Sequence, residues 1–427
     1  MKKCRERGNR LPLCPRPNFM NHRAKFTVVL SSTVLVALLL LGGVVKGAGT
    51  NETGSSDSDV YRHMKVYSQV LSYISTEYVE EPNLPNVTLG ALNGLLEAID
   101  PYASYLNATQ YKEYLKNSDA KPADLGMVLA KKYGYIVVVS AVPGSPADKA
   151  GLTNGDYIES INGIGSRDMP LAYAKLLLRG DPGSTVDLSV LRRKPEPQKM
   201  ALTRSIVANP PVESRMLDGS LGYVKVTTLG TGKVREVAAA VLDLQKQGAK
   251  KLILDLRYCA VGDPEDGAEL ANLFQGKGLL TYAVGQKFPR KDYNADAAKV
   301  VSTLPLVVMT NRGTATAAEV AAAGLQASKR AALVGERTYG DASVLRPITM
   351  PDDSGAVILS VAKFYTPDGK SIQDNGVTPE SVVIDPEAGT GDPEEDDATP
   401  EPAAAAHKAG EDVILNKAIE VAKARQS

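Results

Sequence analysis

Histidine is nearly absent from this chain. The 427 residues contain three, His22, His63 and His407. None falls in a segment that carries candidate chemistry, which argues against a Ser-His-Asp or Cys-His catalyst, since each needs a histidine base. Cysteine is equally scarce: Cys4, Cys14 and Cys259. Three scattered cysteines build neither a disulfide framework nor a zinc spacing. Cys259 lacks a histidine partner and reads as a small buried apolar residue rather than a thiolate nucleophile. Charge of one sign is not in excess either. The 49 basic and 49 acidic residues exert no global pull toward nucleic acid, so no such partner is expected. No metal or other cofactor is expected. The loop aspartates Asp263, Asp266 and Asp341 read as solvated or capping groups rather than as a metal pair.

What the chain does have is length for two or three domains and an ordinary composition, 43% hydrophobic and 23% charged. Residues 1–25 form a basic arm with Lys2, Lys3, Arg5, Arg7, Arg10, Arg16, Arg23 and Lys25 against Glu6. Residues 26–46 follow, and 26–45 are 20 residues without a charge. As a helix that run spans about 30 Å, the thickness of a bilayer core. The positive flank places the arm in the cytoplasm and the rest outside. The length favours an uncleaved signal anchor; small residues at 45–49 leave a cleavable leader as the alternative.

A polar linker (47–59) leads to a helical region (60–120). Val60, Met64, Tyr67, Val70, Leu71 and Ile74 recur at helical spacing. A second helix over Leu89–Ile99 is stopped by Pro101. The segment 121–205 is β-rich, with strands over Tyr135–Val142 and Val186–Leu191, a short helix opening at Pro146 and another over 172–178. The main core (206–385) starts with the strand Leu221–Val226, the amphipathic helix Val234–Gln247 and the buried strand Lys251–Leu256. That succession implies a crossover unit on a mostly parallel sheet. Further on, the strand Leu304–Met309 enters a small-residue turn, a helix opens near Ala317, and the strand Ala332–Gly335 follows. Strand, tight turn, helix presents a nucleophile where backbone N–H groups and the helix dipole favour a developing anion. Glu319, in the first helical turn, complements that dipole. Asp385–Glu401 holds eight acidic residues and no basic ones, so 386–411 reads as a disordered acidic linker. A short amphipathic helix closes the chain (412–427).

Several of these stretches resemble the carboxyl-terminal processing peptidases, or tail-specific proteases. Thr314-Ala-Thr-Ala-Ala-Glu319 matches the family's S-A-S-A-S-E, and Gly335-Glu-Arg-Thr-Tyr-Gly-Asp-Ala-Ser-Val-Leu345 matches G-E-K-T-F-G-K-G-S-V-Q. Gly94–Leu106 resembles the segment that precedes the family's PDZ domain. Ala123–Arg193, with S-P-A-D-K-A-G-L and N-G-D-Y-I-E-S-I-N-G, resembles that PDZ domain itself. Lys363–Pro379 resembles Y-Y-T-P-S-G-R-S-I-Q-G-x-G-I-x-P. The resemblance runs from about Val60 to Asp385. It implies an α/β fold: a mixed sheet-and-helix protease core, a helical N-terminal region and an inserted β-rich PDZ domain.

It also implies roles by position. Thr316 stands at the family's serine nucleophile, Asp341 at its lysine base and Leu345 at the glutamine that orients the lysine. All three side chains differ. Val261 replaces the first of two paired glycines on the oxyanion loop, which puts Val261, Gly262 and Ala317 at the oxyanion positions. A β-branched residue resists positive φ, so the loop geometry is also altered. A carboxylate is a far weaker base than a neutral lysine amine, and internal Thr316 has no N-terminal amine to serve it. The PDZ resemblance implies capture of an extended peptide, with its C-terminal carboxylate on Leu125, Gly126 and Met127 and its side chain against Leu176 and Leu177. The expected function is a membrane-anchored homologue that binds unfolded or C-terminally exposed polypeptides without cleaving them, with an active protease as a further partner. An active peptidase using Thr316 is the alternative, and a scaffold without either function is a third reading. A bacterial cell-envelope location is expected, with the main domains facing the periplasm or exterior.

Overall fold

The computed structural model describes residues 54–119, 123–192, 196–385 and 411–425. The basic arm, the uncharged run and nearly all of the acidic linker lie outside the described residues. Among the described residues no helix is long and apolar enough to cross a membrane. Two compact units divide after Leu84. The first contains helix α1 (Gly54–Glu77), where the apolar spacing predicted one. Helix α2 (Leu84–Glu97) starts at the boundary. Everything else belongs to the second unit.

The centre of the second unit is a six-stranded sheet. It comprises β8 (Glu213–Leu217), β9 (Leu221–Lys225), β10 (Lys251–Asp255), β13 (Leu306–Thr310), β14 (Ala331–Gly335) and β17 (Ser381–Val382), in the order β17-β14-β13-β10-β9-β8. All neighbours are parallel except the pair β8 and β9. Alternate side chains go to opposite faces. Val224, Leu252, Leu254, Leu306, Val308 and Leu333 point into one core, packed by α6 (Lys233–Lys246), α7 (Pro264–Asn272) and α8 (Ala317–Ala327). Leu221, Tyr223, Ile253, Val307, Met309 and Val334 point the other way, against α9 (Val413–Ala424). A sheet covered on both faces explains why its central strands are mostly apolar.

Helix α9 is fixed at its start by charge. Arg257 donates from Nη1 and Nη2 to Asp412, both at 2.9 Å. It also donates to Asp255 from Nε and Nη2, at 3.0 and 2.7 Å. Asp255 is fully buried and takes a third donor, the Tyr223 hydroxyl, at 2.7 Å.

Two antiparallel sheets complete the unit. One contains β2 (Met127–Lys132), β3 (Tyr135–Ala141), β4 (Tyr157–Ile161), β6 (Thr185–Leu191) and β7 (Gln198–Thr203), in that order, with β5 (Ile164–Gly165) beside β4. Helices α4 (Pro146–Lys149) and α5 (Leu171–Leu178) belong to this β-rich segment. The other runs β1 (Ser104–Asn107), β16 (Gly355–Tyr365), β11 (Leu279–Val284) and β12 (Lys291–Asn294), with β15 (Ser343–Thr349) also on β16. Helix α3 (Ala108–Asp119) follows β1.

The β-rich segment is not a separate bead. Its core cluster, built on Leu125, Leu129, Val138, Ile158 and Leu188, also takes in Tyr102, Ala260 and Ala315. Asn154 Nδ2 donates to the Arg312 carbonyl at 3.3 Å. The amide of Ala172, in α5, donates to Ser104 Oγ in β1 at 3.2 Å. The buried Asp255 sets the first prediction. Arg257→Ala strands its carboxylate and should destabilise the unit by about 3–5 kcal/mol. Urea unfolding of the variant beside the native chain measures this; a loss below about 1 kcal/mol contradicts the account.

Candidate active site

Strand β13 delivers the chain into a turn that is stapled to the loop after β10. Thr314 Oγ1 donates to the Leu256 carbonyl at 2.9 Å. The amides of Tyr258 and Gly313 both donate to Asn311 Oδ1, at 2.9 and 3.1 Å. The Ala315 amide donates to the Cys259 carbonyl at 3.0 Å. Gly313 is needed here, because a Cβ would lie 2.7 Å from the Tyr258 ring.

Thr316 ends the turn with φ 52° and ψ −118°. A β-branched residue at positive φ stores strain on the order of 1–3 kcal/mol. Its hydroxyl donates to the Ala260 carbonyl at 3.1 Å. A hydroxyl has one proton to give, and a backbone carbonyl cannot take it away. The Thr316 amide donates to the Asp341 carbonyl at 3.0 Å and to Glu319 Oε2 at 3.2 Å.

Glu319 does more than complement the helix dipole. It is fully buried and also accepts from the Gly340 amide at 2.6 Å, the Asp341 amide at 2.8 Å and the Thr338 hydroxyl. It therefore ties the start of α8 to the loop that carries Asp341. Burial pushes its carboxyl up to about 7, against the pull of those donors. The motif Thr316-x-x-Glu319 has capping-box spacing, a signal for the contact with the Thr316 amide. Nothing local signalled the loop it also holds.

Asp341 is half-buried. Burial pushes its carboxyl up to about 6; Lys175 opposes the shift, while Asp100 and Asp374 add to it. The structure thus brings Thr316 and Asp341 together at the backbone, but the threonine proton goes elsewhere. Leu345 lies on β15 and is 40% exposed, so it supplies no polar group that could orient a base.

On the facing loop the positive φ falls on Gly262, at 138°, and not on Val261. A Cβ on Gly262 would meet Leu229 Cβ and its carbonyl at 2.8 Å. The Val261 carbonyl accepts from the Leu229 amide at 2.7 Å. Ala317 is the buried first residue of α8, and its carbonyl lies where a Cβ on Gly267 of α7 would be, 2.0 Å away. Cys259 is buried, and burial pushes its thiol well above the usual range, as expected for a packing residue. The Asp263 amide donates to Asp266 Oδ2 at 3.3 Å, so both aspartates serve the start of α7.

At the peptide loop, Leu125 is fully buried and Gly126 has φ 77°. Their amides donate to Asp124 Oδ1, at 2.6 and 3.2 Å. Met127 and Leu177 are half-buried. Leu176, expected at the side-chain pocket, is buried instead with Leu106 and Ile358, because α5 leans on β1 and β16.

The raised carboxyls set a second prediction. Asp341 has a folded value above its unfolded one, so its contribution to stability is complete below about pH 4 and is lost as pH rises through about 6. Glu319 acts in the same direction up to about pH 7. Asp341→Asn should therefore raise stability at pH 8 by about 1–3 kcal/mol and leave it unchanged near pH 4. Thermal unfolding at both pH values tests this; equal gains at pH 4 and pH 8 contradict it.

Residues 220–383 match peptidase family S41, and residues 137–192 match a PDZ domain. The carboxy-terminal processing protease CtpA of Bacillus subtilis (strain 168) is 32% identical over 357 residues, 83% of this chain and 76% of the relative. The carboxyl-terminal-processing protease of Synechocystis sp. (strain ATCC 27184 / PCC 6803 / Kazusa) is 31% identical over 320 residues, 73% and 74% of the two chains. Among solved structures, the photosystem II D1 C-terminal processing protease is similar with a TM-score of 0.63 and 28% identity, covering 74% of this chain and 86% of that one. On these matches and on the strand–turn–helix geometry at Thr316, the chain belongs to the carboxy-terminal processing peptidases of family S41 and carries their PDZ domain.

Proposed function

We propose that this chain is a non-cleaving member of its family, a protein that binds unfolded or C-terminally exposed polypeptides through its PDZ domain. The observation that carries the reading is the Thr316 hydroxyl, which donates to the Ala260 carbonyl at 3.1 Å and not to a base. A carboxylate stands at the lysine position and an apolar side chain at the glutamine position. General-base catalysis is worth about 10²–10⁴-fold, and among the described residues no side chain accepts the Thr316 proton. The carbonyl of Ala260, pointed at the nucleophile position, also opposes the build-up of negative charge that acyl transfer requires. The relatives' names supply the substrate class, polypeptide chains near their C-termini. An active protease of the same family is a fitting partner, to which this chain would present its bound polypeptide.

The uncharged run at 26–45 and its basic flank support anchorage in the inner membrane of a bacterial envelope, with the main domains outside. Membranes from expressing cells, washed at alkaline pH, should keep the chain; its complete release would rule out an anchor.

The strained φ of Thr316 favours one second reading. The backbone turn of a nucleophile persists, and an active peptidase would use Thr316. Incubation with an unfolded protein bearing an apolar C-terminus decides between them. The native chain should bind without turnover, as should Thr316→Ala. A Thr316→Ser, Asp341→Lys, Leu345→Gln triple variant should regain cleavage by at least about 10²-fold over the native chain. Native cleavage that disappears in Thr316→Ala would overturn the non-cleaving reading.

A further inference from the structure

Helix α1 (Gly54–Glu77) leaves a row of large apolar side chains in water. Val60, Met64 and Tyr67 are 58, 60 and 37% exposed, and Leu71 and Ile74 are half-buried. A contiguous apolar stripe of this kind on a soluble domain marks an association surface. Among the described residues, the first unit holds no other helix or strand before α2 opens at Leu84.

The five residues follow one another at intervals of four, three, four and three. That is the alternation of the d and a places of a heptad: Val60 d, Met64 a, Tyr67 d, Leu71 a, Ile74 d. Tyr78, one residue past the helix end, takes the next a place and is also exposed. A repeat of 3.5 residues fits a second helix of the same repeat lying along it. Charge keeps off this seam. Asp59, Arg62 and Lys65 take the c, f and b places on the far side, where Arg62 Nη2 pairs with Asp59 Oδ1 at 3.2 Å. The flanking e and g places hold Tyr61, His63, Ser68, Val70 and Ser75, with no Asp, Glu, Lys or Arg before Glu77. Two copies side by side therefore bring no like charges together. Val66 and Tyr73 are exposed as well, but they take the c place, so it is phase that picks out the seam.

The chain before α1 bears on the partner too. The uncharged run ends at Val45, and eight residues (46–53) separate it from the helix. Eight residues reach about 28 Å at most. On the anchorage proposed above, every copy carries α1 near one membrane face, pointing the same way and at a raised effective concentration. That matters because so short a seam pairs weakly between free helices.

We propose that α1 is a self-association helix, along which two copies of this chain pair in parallel through Val60, Met64, Tyr67, Leu71 and Ile74. The seam stands on the helix itself; its parallel sense rests on the anchorage reading.

The test is the mass of the full chain in mild detergent, by light scattering after size exclusion, over a range of concentrations. The native chain should be a dimer. Leu71→Lys, on the seam, should raise the dissociation constant at least about 10-fold. Tyr73→Lys also replaces a large exposed side chain, but off the seam, and should leave the dimer unchanged. Direction is read in membranes with Val60→Cys, Cys4→Ser, Cys14→Ser and a short bismaleimide; Cys259 is buried. Parallel pairing brings residue 60 of both copies together and gives a crosslink, whereas an antiparallel seam holds them about 21 Å apart. A native chain of one-copy mass overturns the proposal, even if a co-expressed protease of the family co-purifies through Leu71 and so proves to be the occupant. A dimer that Leu71→Lys and Tyr73→Lys weaken equally, or that neither weakens, also overturns it. A seam-dependent dimer without the Val60 crosslink overturns the parallel sense. Release from membranes at alkaline pH with that dimer intact overturns the anchor and upholds the seam.

Discussion

Glu319 accepts hydrogen bonds from the amides of Thr316, Gly340 and Asp341 and from the Thr338 hydroxyl, with no surface exposed to solvent. Withdrawing a carboxylate from water costs several kcal/mol, and charge-assisted bonds offset that cost only when nearly every lone pair is used. The start of α8 and the loop 338–341 must therefore keep their places around this one group. The positions of Thr316 and Asp341 follow from it and owe nothing to chemistry between their side chains. Backbone bonds to Glu319 therefore hold the Thr316 turn and the Asp341 loop in place, whatever their side chains do.

The same packing sets what surrounds Thr316 and Asp341. Asp341 is surrounded by the fields of Asp100 and Asp374 as well as that of Lys175. A tetrahedral intermediate needs donors and positive potential where its oxygen becomes charged. Here the partner of the Thr316 hydroxyl, the Ala260 carbonyl, is itself an acceptor. Gly262 keeps the positive φ of the facing loop, so part of the backbone frame is intact. On the non-cleaving reading proposed above, the defect lies in proton transfer and in the sign of the charge, both of which reside in side chains.

Much of the fold was legible because its parts are local and periodic. The runs at 221–226, 251–256 and 304–309 are buried on two faces and so are mostly apolar, with charge confined to Lys225, Lys251 and Asp255. The helix at 234–247 shows a single apolar face through Val237, Val241 and Leu244. The expected strand–helix–strand crossover is the pair β9 and β10 joined by α6, parallel and in register from Lys251 with Leu221 to Asp255 with Lys225. The sheet formed by β1, β16, β11, β12 and β15 was not foreseen. Its pairings join residues up to about 250 positions apart, such as Ser104 with Ile358, and such register has no local signature. The site divided in the same way. Thr316, Asp341 and Leu345 were singled out from the spacing of two motifs, and the structure brings the first two together at the backbone. The Ala260 carbonyl and the loop-holding role of Glu319 had no such signal, since each acts across a distance in sequence that only packing closes. Leu176 was placed by the resemblance alone, and its packing with Leu106 and Ile358 had no local signal either.

Ala260 and Ala315 occupy a double position. They flank Thr316, yet they are packed into the core of the PDZ domain with Leu125, Leu129 and Val139. A shift of the PDZ segment relative to the protease core therefore cannot leave the carbonyl that holds the Thr316 hydroxyl where it was. Closely packed interiors move between discrete arrangements rather than deforming smoothly. The core of the PDZ segment and the turn at Thr316 share these two small side chains. Substitutions at Thr316, Asp341 and Leu345 change half-buried or exposed side chains and leave this packing intact. On the non-cleaving reading proposed above, the loss of a proton relay leaves that shared packing in place, because the two depend on different residues.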